Sequence, residues 1–278
     1  MDLSLFHQKD MFPRFVADKL TAVSVDYKEK YRSIKKADKP GSLYRKAGVV
    51  LLLNYKSNQD KPEYVFQLIK RSEKVSQAGD IGCPGGMLHP RLDNILSCFL
   101  KLGIIPSMQG ENANYTQSKD KETNFLIRLF LATALREAWE EVGLNPFNVV
   151  FLGALPSYSL SLFARTIFPV VCVTPKHFEY KLSSEVEKVL EIPLSFFFNS
   201  ANYAILDIKT SQRNDSESMR YECLIIPDGQ GGEDILWGAT FKIINNFLRI
   251  ISDDSLPLPS ASRTIKKFLA TSYISKNR

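Results

Sequence analysis

Hydrophobic and polar positions follow two different periods along this chain, and the change of period marks its elements. Continuous apolar runs bounded by breakers at 47–55 (AGVVLLLNY) and 64–70 (YVFQLIK) predict two buried strands, joined through a turn-like segment at 56–62. Shorter apolar runs at 149–155, 166–173, 204–208 and 221–226 predict further strands. Helical spacing appears at 10–23, where Phe12, Phe15, Val16, Leu20 and Val23 recur on one face. It returns at 92–103, with Ile95, Leu96, Phe99, Leu100 and Leu102, and over 235–251. The longest periodic stretch is 125–142, with apolar residues at 126, 127, 130, 131, 134, 135, 138 and 142. A short helix is predicted at 184–190, capped by Ser183 or Ser184. The polar stretch 109–124 lacks any period and predicts a mobile loop. The basic stretch 28–46 predicts a solvated connector, and the tail 260–278 carries a possible basic helix. No internal repeat interrupts the pattern.

Strands alternating with helices predict an α/β (α+β) architecture in which a mixed sheet is sandwiched between helices. A chain of 278 residues is long enough for a sizeable core. The net charge of +6 favours anionic ligands. The basic residues form no dominant cluster, so no nucleic-acid partner is expected. No apolar run approaches the ~20 residues of a membrane span. The first fifteen residues are charged too early for a signal peptide. Four cysteines, Cys83, Cys98, Cys172 and Cys223, have no CxxC spacing, which fits reduced thiols and a cytoplasmic protein.

The candidate chemistry is concentrated in Arg136-Glu137-Ala138-Trp139-Glu140-Glu141-Val142-Gly143-Leu144. On a helix Glu137, Glu140 and Glu141 share one face, where like charges repel. A hard divalent cation such as Mg²⁺ relieves that repulsion; a solvated acidic face is the alternative. Arg136 can pair with Glu140 one turn on, and Gly143 is a helix stop. Upstream, the glycine-dense 79–86 (GDIGCPGG) reads as a phosphate-cradling loop, as a tight turn, or as both.

The string R-E-A-W-E-E-V-G-L resembles the second half of the Nudix box, G-x5-E-x7-R-E-U-x-E-E-x-G-U, with Gly86 as the box glycine. Arg136 stands 50 positions beyond Gly86, where the box has 14, an insertion of about 36 residues. No glutamate occupies the first acidic position of the box; counting forward from Gly86 reaches Leu92. The resemblance implies the Nudix fold, with Glu137, Glu140 and Glu141 as ligands of Mg²⁺ or Mn²⁺ and Arg136 orienting them.

Further segments resemble the coenzyme A diphosphatase branch of that superfamily. These are Arg71-Ser72, the Cys83-Pro84-Gly85-Gly86 turn, Glu185-Val186 through Pro193-Leu194-Ser195, and Trp237-Gly238-Ala239-Thr240. The implied activity is hydrolysis of coenzyme A or acyl-coenzyme A to 4′-phosphopantetheine and adenosine 3′,5′-bisphosphate. Arg71, Gly85 and Gly86 would then bind substrate. The alternatives are another dinucleotide, such as ADP-ribose or NADH, and a catalytically silent nucleotide-binding module. Cys83 replaces a phenylalanine of the branch motif, His89 an aspartate, and Val75 an arginine suited to phosphate. Lys70, Arg71 or Lys74 are candidates to replace that arginine. Glu185 and Glu187 are candidate general bases, and Trp237 is either a stacking platform or a core anchor. His89 is the histidine nearest the site. The helix at 92–103 either flanks an acyl-pantetheine arm or packs on the core, and Arg91, Lys101 and the 28–46 stretch would attract the substrate's charge. The division implied is an N-terminal helix and connector (1–46), a Nudix domain (47–255, insertion about 90–125) and a tail (256–278). The partner is a small nucleotide, and homo-oligomerisation is open.

Overall fold

The computed structural model describes residues 2–37, 44–57, 61–109, 115, 118–160, 164–210, 219–254, 256–257, 263–269 and 273. Strands β1 (Arg45–Lys56) and β2 (Glu63–Arg71) form the expected antiparallel pair. With β3 (Ile81–Gly82), β5 (Val150–Ala154) and β7 (Arg165–Thr174) they build a mixed sheet in the order β3-β2-β1-β7-β5. Three strands sit off that path: β4 (Gly85–Met87) on β1, β6 (Tyr158–Leu160) on β7, and β8 (Val186–Pro193) on β2. A second sheet runs β11 (Glu233–Leu236), β10 (Met219–Pro227), β9 (Tyr203–Thr210), β12 (Thr264–Leu269).

Five helices are described: α1 (Met11–Thr21), α2 (Tyr27–Ala37), α3 (Pro90–Leu102), α4 (Lys121–Val142) and α5 (Gly238–Ser252). Strand periodicity puts Gly48 and Leu53 on opposite faces of the large sheet. On the Gly48 face lies α4. A Cβ on Gly48 would sit 2.5 Å from the Phe130 carbonyl oxygen, so only glycine allows the helix this close. Phe168, the register partner of Gly48, stacks on Phe130 with ring centroids 3.8 Å apart. On the Leu53 face, its partner Phe66 meets Phe247 of α5. The sheet is thus sandwiched between helices, as the pattern predicts. No helix among the described residues is long and apolar enough to cross a membrane.

The helix expected over 125–142 starts earlier, at Lys121. Its first turn is polar and invisible to apolar periodicity, but the Asp120 side chain caps it by accepting from Glu122 N and Thr123 N. Gly143 ends it in the left-handed conformation, φ 75°.

Three elements differ from expectation. The basic stretch contains α2, because Tyr27 and Ile34 reach the core beneath its charged face. Tyr27 packs edge-on to Phe130 and Phe168 and donates to the Pro169 carbonyl at 2.6 Å. The short helix predicted at 184–190 is instead strand β8, rich in β-branched Val186, Val189 and Ile192. It satisfies the open backbone edge of β2, with Leu190 and Ile192 buried. The tail segment expected as a helix forms β12, which adds in parallel to β9. Residues 110–114 and 116–117 of the loop expected over 109–124 lie outside the described residues; Tyr115 within it is buried and accepts from Ala154 N.

Candidate functional site

The acidic residues occupy the last turn of α4, where the helix passes over β4. Glu140 is exposed, Glu137 is largely covered and Glu141 is buried. Glu141 Oε2 accepts from the backbone N–H of Gly85 at 2.9 Å. Gly85 has φ 144°, and a Cβ there would lie 2.4 Å from the Gly48 carbonyl oxygen, so this donor needs glycine. At Gly86 a Cβ would fall 2.5 Å from the Glu137 carboxylate, so its bare backbone makes room for that side chain. The Gly-Gly turn and the helix end are therefore one unit.

Arg136 is only 8% exposed, and each of its nitrogens is engaged. Nε donates to Asp93 Oδ1 at 2.7 Å, and Nη2 to the Met87 carbonyl at 3.0 Å and Asp93 Oδ2 at 3.3 Å. Nη1 reaches Glu137 at 2.9 Å and Glu140 at 3.3 Å. Burial alone would lower the basicity of Arg136, but hydrogen bonding to Asp93 and the charges of Glu137 and Asp93 outweigh it and raise the pKa. Asp93 is fully buried and also accepts from Thr133 Oγ1 and His89 N, each at 2.8 Å.

Desolvation raises the pKa of Glu137, with Arg136 opposing. At Glu141 desolvation pushes the pKa up to about 8. The Gly85 N–H and the charge of Arg71 act against it, and the charges of Glu137 and Glu185 reinforce it. The neighbouring Cys83 thiol is pushed up to about 12, chiefly by burial. Among the described residues no three carboxylate, His or Cys side chains converge into a ready-made metal cage. Arg136 draws Glu137 and Glu140 one way while Gly85 holds Glu141.

Sequence comparison finds curated relatives of this chain. An uncharacterized Nudix hydrolase NudL of Pectobacterium atrosepticum is 32% identical over 127 residues, which are 45% of this chain and 61% of that protein. NudL of Escherichia coli is 39% identical over 118 residues, 41% of this chain and 55% of that protein. Over these segments the chain is similar to Nudix hydrolases. It spans at most 61% of the length of these relatives. No protein-family model matches it. A MutT/nudix family protein of Enterococcus faecalis superposes with a TM-score of 0.39 at 14% identity, over 82% of this chain and 72% of that one, a likeness too slight to carry an argument.

In Nudix terms the missing box glutamate has a counterpart that sequence reasoning missed. Asp93 lies one position past the count from Gly86 and neutralises the box arginine from inside the inserted segment. Its signal was that Asp93 is the only carboxylate of α3. The insertion's helix α3 presents Asp93, Ser97 and Leu100 inward and leaves Leu92, Ile95, Phe99 and Leu102 exposed. His89 caps α3, its Nδ1 accepting from Leu92 N at 3.3 Å.

Arg71 ends β2, with its Nε donating to the Ser76 carbonyl at 3.0 Å. Lys70 does not replace the missing phosphate arginine, since it pairs with Glu187 at 2.9 Å and Asp234 at 3.1 Å. Glu187 is held by Lys70, whereas the charge of Glu185 acts on Glu141. Lys74 is exposed. Trp237 is half-buried; its Nε1 donates to Asp80 Oδ1 at 3.2 Å. Asp80 also accepts from Lys267 at 3.0 Å and from the Tyr273 hydroxyl, so the tail closes on the Gly79–Gly86 loop.

Proposed function

We propose that this Nudix protein hydrolyses the pyrophosphate bond of coenzyme A or acyl-coenzyme A, releasing 4′-phosphopantetheine and adenosine 3′,5′-bisphosphate. The observation that carries the reading is the convergence of the branch-like segments on the acidic end of α4. Ser72 N donates to the Glu185 carbonyl at 2.9 Å, and Ser72 Oγ to the Ser184 carbonyl at 2.8 Å. Arg71 N donates to the Asp80 carbonyl at 3.0 Å, and Asp80 holds Trp237. The same loop ends in Gly85, the partner of Glu141. Hydrogen bonds thus tie four stretches remote in sequence to one another beside the acidic end of α4.

The donor set fits a hard divalent cation, Mg²⁺ or Mn²⁺. Three carboxylates come from one helical turn, and the charge of the buried Glu141 is unfavourable without a cation. Glu137, Glu140 and Glu141 would hold the metal, which when bound neutralises phosphate oxygens and supplies a hydroxide-like water near neutral pH. Arg136, fixed by Asp93, sets the orientation of Glu137 and Glu140. Arg71 and the backbone of Gly85 and Gly86 face the substrate's phosphates, and Glu185 is the better placed of the two candidate proton acceptors. The exposed stripe Leu92, Ile95, Phe99 and Leu102 offers an apolar surface to an acyl-pantetheine arm. Four free cysteines suit a reducing cytoplasm.

The substrate is tested by comparing initial rates on coenzyme A, acetyl-coenzyme A, ADP-ribose and NADH with Mg²⁺ or Mn²⁺. Preference for the two coenzyme A compounds supports the proposal. Preference for ADP-ribose or NADH keeps pyrophosphate hydrolysis and rejects the substrate. Nucleotide binding without any turnover rejects the enzyme reading in favour of a silent binding module.

A further inference from the structure

Several cations of this protein sit against carboxylates. Arg136, Lys70, Arg249 and Arg263 each have an acidic partner within 3.3 Å. Arg45, Arg71 and Arg165 do not: among the described residues none of the three pairs with a carboxylate. They come from three strands. Arg45 and Arg165 are register partners in the parallel β1–β7 pair, so their side chains leave the same face of the sheet. On its other edge, β1 pairs through Ala47, Gly48 and Val49 with Met87, Gly86 and Gly85. Arg45 therefore begins the strand that supports the Gly-Gly turn.

Arg71 connects this pair to the acidic cluster. It ends β2 and is hydrogen-bonded through its backbone to both Gly79 and Asp80, at 2.9 and 3.0 Å, in the loop whose Gly85 donates to Glu141; its charge also acts on Arg165. Arg165 is half-buried, and its Nε is buried with no hydrogen-bond acceptor. Burial, followed by the charges of Arg71 and Arg45, lowers its pKa. Like charges gathered with a buried donor unmet are unfavourable in the ligand-free protein. An anion reverses both costs, and the planar guanidinium fork matches phosphate oxygens.

We propose that Arg45, Arg71 and Arg165 form a phosphate-binding subsite that holds a phosphate group of the nucleotide beside Glu137, Glu140 and Glu141. That the ligand is a nucleotide rests on the reading above; the subsite itself rests on the arginines. It supplies the positive charge that Val75, standing in place of the branch's arginine, does not. The phosphate belongs either to the pyrophosphate or to the ribose of the substrate.

The test is calorimetric binding to the full chain in EDTA, with inorganic pyrophosphate, AMP and adenosine 3′,5′-bisphosphate as probes. The proteins are wild type, Arg45→Gln, Arg165→Gln and Arg263→Gln, the last removing an equal charge at the remote Glu233 pair. The subsite predicts that Arg45→Gln and Arg165→Gln each weaken binding by about tenfold or more, while Arg263→Gln stays within about twofold. Loss for pyrophosphate and AMP alike assigns the pyrophosphate side; loss confined to adenosine 3′,5′-bisphosphate assigns the ribose phosphate. Either result supports the subsite. Arg45 is exposed, so its variant carries the test even if Arg165→Gln folds poorly. Wild-type affinity in Arg45→Gln, equal weakening in all three variants, or no binding of any probe by wild type overturns it. The assay needs no turnover, so arginine-dependent binding without coenzyme A hydrolysis would reject the proposed activity and leave the subsite standing.

Discussion

Glu141→Gln should stabilise the metal-free protein at neutral pH while removing a residue assigned to its chemistry. Glu141 is 7% exposed, and its pKa is raised from 4.5 to about 8, mainly by desolvation. The folded state therefore holds this proton more tightly than the unfolded state. Stability falls as pH rises through the interval from the unfolded to the folded pKa. Between pH 5 and 7.5 the difference in bound protons integrates to about 3 kcal/mol, taking ~1.4 kcal/mol per pH unit. Glutamine is nearly isosteric, keeps an oxygen to accept from Gly85 N–H and does not titrate. Urea denaturation in EDTA at a series of pH values, for wild type and Glu141→Gln, isolates the effect from every other titrating group. Wild-type stability should fall relative to the variant by about 3 kcal/mol over that range, a Tm difference on the order of 6 °C or more. Adding Mg²⁺ or Mn²⁺ should close part of the gap for wild type alone. Parallel pH profiles would refute the reasoning that burial of an uncompensated carboxylate dominates this site.

Asp93→Asn should destabilise by about 3–5 kcal/mol in urea denaturation, because it leaves the buried Arg136 without its main counter-charge; a loss under about 1 kcal/mol would contradict the pairing. Gly48→Ala should cost about 1–3 kcal/mol or more by the same assay, since the new methyl meets the backbone of α4 and not a movable side chain. Asp80→Asn should lower stability by about 1–2 kcal/mol by weakening the contacts with Lys267 and Tyr273, and an unchanged midpoint would show that the tail does not depend on them.

The long helix and its glutamates were legible because residues 126–142 kept one apolar period, with a glycine stop at Gly143. The central strands were legible for the same kind of reason: Leu51, Leu52 and Leu53 lie in an unbroken apolar run that only a strand buried on both faces needs. Asp93 was not legible as a partner of Arg136, because the insertion carries it 43 residues away and only folding of α3 onto α4 joins them. At 186–193 a mixed pattern of valines and glutamates suits either period, and the unpaired edge of β2 decides the outcome. Segment 264–269 was misread likewise, since β9 supplies a reason for extension that lies outside the segment. Tyr27 and Ile34 were too few, in so basic a stretch, to announce a helix, yet their burial holds α2 on the core. The alignment of Arg45 with Arg165 depends on a parallel register, which no local pattern encodes.

The central claim is that the acidic end of α4 carries metal-dependent hydrolysis of coenzyme A. The most direct measurement is the rate of adenosine 3′,5′-bisphosphate release from coenzyme A, with Mg²⁺ or Mn²⁺ and with EDTA, for wild type, Glu140→Gln and Glu141→Gln. The account predicts release by wild type that stops in EDTA and falls by about a hundredfold or more in each variant, with both variants folded. Release that persists in EDTA, or that survives both substitutions, would contradict it.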